Sequence, residues 1–281
     1  MTLPTLPPAP ASPVEDSYTR LSEVFPSLRV RELRAGERMP VGDGWAGAAE
    51  LARGGPALDA FLAWDSAQIV RDHGVPARPN VVAGFGLHRY AWPSCLLVTL
   101  PWFLRRRVPR VPPEHVAYQR TLGLMTVRVT EFACLPGDPA ARLPGARVVP
   151  DEEALRAEVR TAVAELIGPL LEGFGPRMRR GRRALWSMAT DEVVEGLWHI
   201  GNLLGEGARA MAELEELLPG TTTPYVGRPG FRVLTGPQGE SVPTRDRASC
   251  CLFYTLRPDD TCVTCPRTGD TDRLARLLPG A

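Results

Sequence analysis

Residues 151–174 read DEEALRAEVRTAVAELIGPLLEGF, a long stretch in which apolar residues recur at helical spacing. Asp151, Glu152 and Glu153 open it, and acidic side chains favour a helix N-terminus because they complement the partial positive charge there. The stretch therefore predicts a long amphipathic helix. It makes a mainly helical body the first expectation for the fold.

Further helices are predicted on both sides of this stretch. Downstream, the apolar spacing predicts helices over residues 182–204 and 208–218. Upstream, the same spacing predicts helices over residues 14–24 and within 44–72. We expect these helices to pack on one core.

Residues 91–104 form the cleanest apolar run of the chain, and Arg105 ends it. A membrane-spanning helix needs about 20 apolar residues, so this run is too short for a span. It predicts a buried core helix, with peripheral membrane contact as the alternative.

The pattern changes between the predicted helices. Residues 115–134 place Val127, Val129 and Phe132 at every second or third position among Thr and Arg, and β-branched residues at such spacing are typical of paired strands. A small sheet is predicted here, followed by a loop over residues 136–150. The predicted fold class is α+β, a mainly helical body with a small central β-sheet.

The C-terminal part has a different composition. Gly, Pro, Thr and Arg dominate residues 219–247, which predicts an irregular connection with one short strand at 231–234. A short helix is predicted at 270–278, where three leucines lie on one side.

Composition excludes some functions. The chain has 281 residues, 44% of them hydrophobic, and a formal net charge of +1. It can bury a core, but it lacks the positive excess of a nucleic-acid binder, so no nucleic-acid partner is expected. Residues 1–13 are rich in Pro and Ala, without the basic and apolar regions of a signal peptide, which predicts a disordered tail and a cytoplasmic protein.

Four of the six cysteines fall within sixteen residues, as Cys250, Cys251, Cys262 and Cys265. In a reducing compartment, clustered thiols indicate metal ligands or redox groups before structural disulfides. Four thiolates suit tetrahedral zinc or an iron–sulfur cluster. These four cysteines are the candidate metal ligands.

The spacing favours a cluster over zinc. Structural zinc sites usually present two Cys-x-x-Cys knuckles, and only 262–265 is one. Adjacent side chains such as Cys250 and Cys251 diverge in extended backbone, so both grip a single ion poorly, whereas a binuclear cluster offers a second iron. A [2Fe–2S] cluster would use all four thiols. Cys95 and Cys134 stand apart and are interpreted as buried small hydrophobes.

The run RASCCLFY at 247–254, continuing to CVTCP at 262–266, resembles the C-terminal motif of the FhuF-type ferric-siderophore reductases. That motif has an Arg shortly before a vicinal Cys pair, then Leu and Tyr, as at Leu252 and Tyr254, and a Cys-x-x-Cys end followed by Pro. Residues 257–261, RPDDT, stand where the family has a glycine-rich loop.

The resemblance implies a [2Fe–2S] protein that passes one electron to ferric iron held in a siderophore, of hydroxamate type among the candidates. It also implies an external electron donor, such as a ferredoxin or a flavodoxin-type protein, since Gly84-Phe85-Gly86 lacks the third glycine of a dinucleotide site. Arg247, Arg257 and Tyr254 are candidate substrate- or partner-binding residues.

Two groups of residues outside the motif are further candidates. The basic run of Arg177, Arg179, Arg180, Arg182 and Arg183 could steer an acidic electron donor, although such runs are more often solvated. Trp186, Trp198 and His199 could line a siderophore cleft, although aromatic residues at this spacing more often belong to a core.

Three functions and one division of the chain follow as predictions. The leading function is a ferric-siderophore reductase. The alternatives are an electron carrier or redox partner in a biosynthetic pathway, and a zinc-stapled siderophore-binding protein. The predicted domains are the tail at 1–13, a body at 14–235 that includes the siderophore-docking region, and a [2Fe–2S]-binding segment at 236–281 packed on that body.

Overall fold

The computed structural model describes residues 12–278. Its helices are α1 (Glu15–Val24), α2 (Ala48–Ala52), α3 (Gly55–His73), α4 (Pro79–Arg105), α5 (Glu152–Met178), α6 (Arg182–Leu203), α7 (Gly207–Leu217) and α8 (Asp270–Leu277). Together with three small sheets they confirm the predicted α+β class. The predicted tail at 1–13 lies outside the described residues except for Ser12 and Pro13.

Helix α4 is the centre of the helical body, which comprises α1 and α3–α7. It packs most extensively on α5 and α6 and also contacts α3. Leu96, Leu97, Trp102 and Phe103 are fully buried, which confirms the buried core helix. The helix begins earlier than the apolar run indicates, at Pro79, because tertiary packing accommodates Gly84 and Gly86 within it.

Helix α5 follows the predicted stretch closely. The carboxylate of Asp151 accepts a hydrogen bond of 2.8 Å from the backbone N–H of Ala154, so it caps the N-terminus. Arg179, in the left-handed conformation with φ of 54°, ends the helix and turns the chain towards α6.

Three small sheets surround the helices. The first has the order β1 (Arg29–Glu32), β5 (Leu124–Val127), β4 (Val116–Gln119) and β2 (Trp45–Gly47). The second has the order β3 (Arg107–Arg110), β6 (Glu131–Cys134) and β7 (Ala146–Val148). The third is the hairpin of β8 (Phe231–Thr235) and β9 (Ser241–Arg245).

The predicted strands within 115–134 are present, but they divide between two sheets: β4 and β5 pair with each other in the first, whereas β6 pairs with β3 and β7 in the second. Strand β7 lies in the predicted loop at 136–150, where it pairs in parallel with β6. Strand β9 was not predicted, since Pro243 interrupts its pattern, yet proline is tolerated in an edge strand such as this one.

Residues 246–269, here called the cysteine segment, follow β9. One short 3₁₀ turn, Phe253–Thr255, is the regular structure within it. Leu252, Phe253 and Leu256 pack on a small apolar cluster with Ile69 and Val81 of α3 and α4. The segment therefore lies on the helical body, as expected. The predicted domain boundary at 235/236 falls in the turn between β8 and β9, and the division itself stays a prediction.

Candidate metal centre in the cysteine segment

A buried carboxylate on α6 fixes the start of the cysteine segment. The side chain of Asp191 accepts hydrogen bonds from the backbone N–H of Ala248 at 3.0 Å and of Ser249 at 2.8 Å. It also accepts one from the Ser249 hydroxyl at 2.6 Å. Because Ser249 precedes Cys250, these bonds set the position of the cysteine pair against the helical body.

Arg245 compensates the charge of this carboxylate. Its guanidinium lies 2.5 Å from Asp191, and both side chains are fully buried. The same guanidinium also donates to Glu195 at 2.8 Å and to the carbonyl of Pro229 at 3.0 Å. A buried ion pair with its hydrogen bonds satisfied fixes one geometry more than it adds stability.

Sequence reasoning missed these acidic residues. Asp191 and Glu192 sit between Ala189 and Val193 in the middle of an apolar helix, where both are buried. Charged residues are almost never fully buried unless they are paired. Two adjacent acidic residues within an apolar helical pattern were therefore the available signal for a buried, paired carboxylate.

The backbone around the cysteine pair points donors at sulfur. Leu252 adopts the left-handed conformation with φ of 67°, and its N–H lies 3.4 Å from Sγ of Cys250. A backbone N–H of Phe253 donates to Cys251. The guanidinium of Arg180 donates to the carbonyl of Cys250 at 2.6 Å.

The second pair forms the predicted knuckle. The N–H of Cys265 donates to the carbonyl of Cys262 at 3.0 Å, and the N–H of Arg267 lies 3.4 Å from Sγ of Cys265. Thr268 donates its hydroxyl to the carbonyl of Cys262 at 2.9 Å, and Arg273 donates to the carbonyl of Cys265 at 3.0 Å.

The two pairs meet through Cys251 and Cys262. The thiol of Cys262 donates a hydrogen bond to Cys251, and this bond, with the N–H of Phe253 and the charges of Arg247 and His88, lowers the pKa of Cys251 to about 5. The same bond, followed by burial, raises the pKa of Cys262.

This arrangement fits a binuclear iron–sulfur cluster. A cluster with two irons needs only two thiolates at each iron. Backbone N–H groups aimed at sulfur, as at Cys250 and Cys265, are the contacts that tune such clusters.

The other predicted site residues lie in different surroundings. Arg247 is buried, with its guanidinium 3.7 Å from Asp191 and 3.8 Å from Glu192. Burial lowers its pKa, but these carboxylates outweigh burial and raise it. Arg257 is exposed, and the ring of Tyr254 stacks under the guanidinium of Arg267 at 4.0 Å. Contact of Arg247, Arg257 or Tyr254 with a substrate or partner stays a prediction.

The aromatic candidates on α6 pack against other aromatic rings. Trp186 packs edge-on against Tyr225, with ring centroids 5.5 Å apart, and Trp198 packs likewise on Phe231 at 5.3 Å. His199 contacts Phe25. Cys95 and Cys134 are buried and free, as predicted.

Comparison with known proteins bears on the cysteine segment. Residues 247–267 match the family described as FhuF 2Fe-2S C-terminal domain. A search of curated proteins found no match to this chain. Within the described residues, no helix combines the length and apolarity needed to cross a membrane. Cys250, Cys251, Cys262 and Cys265 all lie inside the matched range, so the chain carries a FhuF-type [2Fe–2S] C-terminal domain whose cofactor is a [2Fe–2S] cluster.

Proposed function

We propose that this protein is a cytoplasmic ferric-siderophore reductase that takes electrons from an external protein donor. The observation that carries the proposal is the four-cysteine pattern at 250–265, inside the range that matches the FhuF [2Fe–2S] domain. Cys250, Cys251, Cys262 and Cys265 would hold the cluster.

The chemistry needs no protein acid or base. When bound and reduced, the cluster supplies one electron to one ferric siderophore, which leaves Fe(II) and the oxidised cluster. Siderophores hold Fe(III) with hard oxygen donors, and such ligands bind the less highly charged Fe(II) more weakly. Protons then compete for the ligand oxygens and the iron is released.

The protein side chains position the cysteines and balance their charge. Asp191 fixes the backbone before Cys250, and Arg273 fixes the knuckle through the carbonyl of Cys265. Arg247 places a buried positive charge near Cys251, which offsets the negative charge of thiolate ligands.

An external donor is part of the proposal. Gly84 and Gly86 lie inside helix α4, away from any strand-to-helix turn of the kind that binds a dinucleotide pyrophosphate. A ferredoxin or a flavodoxin-type protein supplies single electrons and suits this role.

The test uses anaerobically purified protein loaded with its cluster. The reduced protein is mixed with a panel of ferric siderophores, hydroxamates included, while Fe(II) is trapped with a chromogenic chelator. We expect about one Fe(II) per reduced cluster, with loss of the reduced-cluster EPR signal. Cys262→Ala should lose the cluster, whereas Cys95→Ala, in the helical body, should retain it. A reduced protein that leaves every ferric siderophore unchanged would contradict the proposal.

A second candidate is an electron carrier in a biosynthetic pathway. The exposed residues 257–260 between the two cysteine pairs differ from the family's glycine-rich loop and could select another partner. Oxidation of the reduced cluster by a pathway oxygenase, with ferric chelates inert, would favour it. Metal analysis that finds one zinc and no acid-labile sulfide would favour the zinc-stapled binding protein instead.

A further inference from the structure

A cavity of about 420 Å³ opens between α3 and α4. Phe25, Trp64, Trp92 and Tyr118 are among its lining residues, so aromatic rings form part of its wall. Ligand sites commonly combine such walls with a few polar groups that fix orientation.

The two arginines that line this cavity are held in place by a buried carboxylate. Arg89 and Arg120 both line it, and both pair with the fully buried carboxylate of Asp65, at 3.0 and 2.6 Å. Arg120 also stacks over the ring of Trp64 at 4.2 Å. A Cβ at position 86 would lie 2.8 Å from Asp65, so Gly86 makes room for this carboxylate. The arginines are therefore ordered without using all of their N–H donors.

The cavity lies next to the cysteine segment. A Cβ at position 84 of α4 would lie 3.9 Å from the carbonyl oxygen of Cys251. His88, one turn or about 6 Å further along the helix, lines the cavity and bonds to Glu192 at 2.7 Å.

Aromatic contacts fill the space between the two. The ring of Phe253 packs on Phe85 of α4 and on His73 of α3, with centroids 5.8 and 5.5 Å apart. The guanidinium of Arg89 lies 5.8 Å from the centroid of the Phe85 ring. Packed side chains therefore connect the cysteine segment to the wall of the cavity.

We propose that this cavity docks the ferric chelate, with Trp64 and Trp92 against its organic frame and Arg89, Arg120 and His88 towards its oxygen donors. The inference rests on the proposed function. It assigns the substrate to the side of the cysteine segment that faces α3 and α4.

The test measures binding without electron transfer. Gallium(III) replaces iron(III) in the same chelates and is not reduced, so calorimetric titration of the oxidised protein with gallium trihydroxamate and gallium tricatecholate reports docking alone. Trp64→Ala should weaken binding at least tenfold, as for an aromatic anchor. Gln68→Trp, at the cavity rim, should do the same by filling the cavity without removing any packing.

Trp198→Phe is the matched control on α6, and its dissociation constant should stay within twofold of the wild type. If both cavity variants bind the gallium complexes as tightly as the wild type does, the inference is overturned. It is also overturned if the wild type reduces ferric chelates but binds neither gallium complex. A wild type that binds gallium chelates but reduces no ferric one would refute the reductase and leave the docking site standing.

A different observation concerns the electron donor. Arg179, Arg182 and Arg183, at the turn between α5 and α6, are exposed, and within the described part of the chain they form no salt bridge. Arg180, between them, donates to the carbonyl of Cys250 at 2.6 Å. This group of exposed arginines, with Glu172 as an acidic neighbour, thus reaches one residue that holds the cysteine pair.

We infer that an acidic one-electron donor protein docks on this surface. Opposite charge at the edge of a redox centre steers the encounter and raises the association rate by about 10- to 1,000-fold.

The test follows reduction of the cluster by an acidic [2Fe–2S] ferredoxin in stopped flow, with no siderophore present. The double variant Arg182→Glu, Arg183→Glu should lower the second-order rate at least tenfold at low salt and flatten its salt dependence. The control Arg38→Glu, Arg142→Glu changes the net charge equally at exposed sites elsewhere. Equal losses in both variants would overturn the inference, as would a rate that salt does not affect.

Discussion

The helical body and the cysteine segment are held together by different interactions. The body buries large apolar side chains, such as Leu97, Trp102 and Phe103. The cysteine segment buries Leu256 and Cys265, and its position depends on hydrogen bonds to Asp191 and from arginines. Apolar burial is non-directional, whereas hydrogen bonds fix which atom faces which. The contrast teaches that the body supplies stability and the polar anchors supply the geometry of the metal centre.

Two buried cysteines allow each region to be probed separately. Cys265 is 4% exposed in the cysteine segment, and Cys95 is fully buried in the body. In metal-free protein, thiol labelling of Cys265 reports opening of the segment, and labelling of Cys95 reports opening of the body.

The largest effect is expected from Asp191→Asn. Removal of one partner of a buried ion pair costs about 3–5 kcal/mol, because Arg245 keeps a buried charge that Glu195 only partly offsets. Labelling of Cys265 should therefore accelerate about a hundredfold or more. Asp59→Asn, which breaks the exposed pair with Arg177, is the control and should have little effect. Equal labelling rates in the two variants would show that Asp191 does not anchor the segment.

The next effect concerns the body. Leu97→Ala leaves a cavity at a fully buried site and should lower the free energy of unfolding by about 2–5 kcal/mol. Labelling of Cys95 should accelerate, while labelling of Cys265 changes less. Leu203→Ala, at a partly exposed position, is the control. Acceleration confined to Cys265 would contradict the separation of the two regions.

A smaller effect is expected within the knuckle. Thr268→Val removes the hydroxyl that bonds to the carbonyl of Cys262, while the N–H of Cys265 still satisfies that carbonyl. We expect this change to lower the free energy of opening of the segment by about 1 kcal/mol, which makes labelling of Cys265 roughly fivefold faster. Thr255→Val, on the exposed side of the segment, is the matched control. No difference between the two would show that the hydroxyl does not hold the knuckle.

The smallest effect lies at the junction of the two regions. Burial alone would lower the pKa of His88, but Glu192 outweighs burial and raises it. A raised pKa stabilises the fold below the unfolded value near 6.5, and this stabilisation is lost as pH rises through the folded value. The stability difference between wild type and His88→Gln should therefore shrink between pH 6 and 8 in denaturant titrations. A difference that grows with pH would refute the pairing.

Much of the helical part of the fold could be predicted from the local sequence. The helices at 151–174, 182–204 and 270–278 follow from apolar periodicity, supported by acidic N-termini in the first and the last of them, since these signals reside in neighbouring residues. Strand β7 could not be predicted, because it exists only through its pairing with β6. Strand β9 was hidden for a different reason, since Pro243 interrupts its pattern although its partner β8 is the neighbouring strand of the hairpin. The early start of α4 likewise depends on packing around Asp65.

By itself, the sequence determined the cofactor class, and it predicts the four cysteines as the ligands. The four cysteines and their spacing select a thiophilic centre, because thiolate chemistry and the reach of adjacent side chains are local properties. Only the tertiary structure decided what surrounds that centre. Arg245 and His88 were indistinguishable from surface charges, and the adjacent acids Asp191 and Glu192 could be marked as buried but not assigned a partner. Burial and long-range contact are properties of the folded chain, so no local pattern could give these residues their roles.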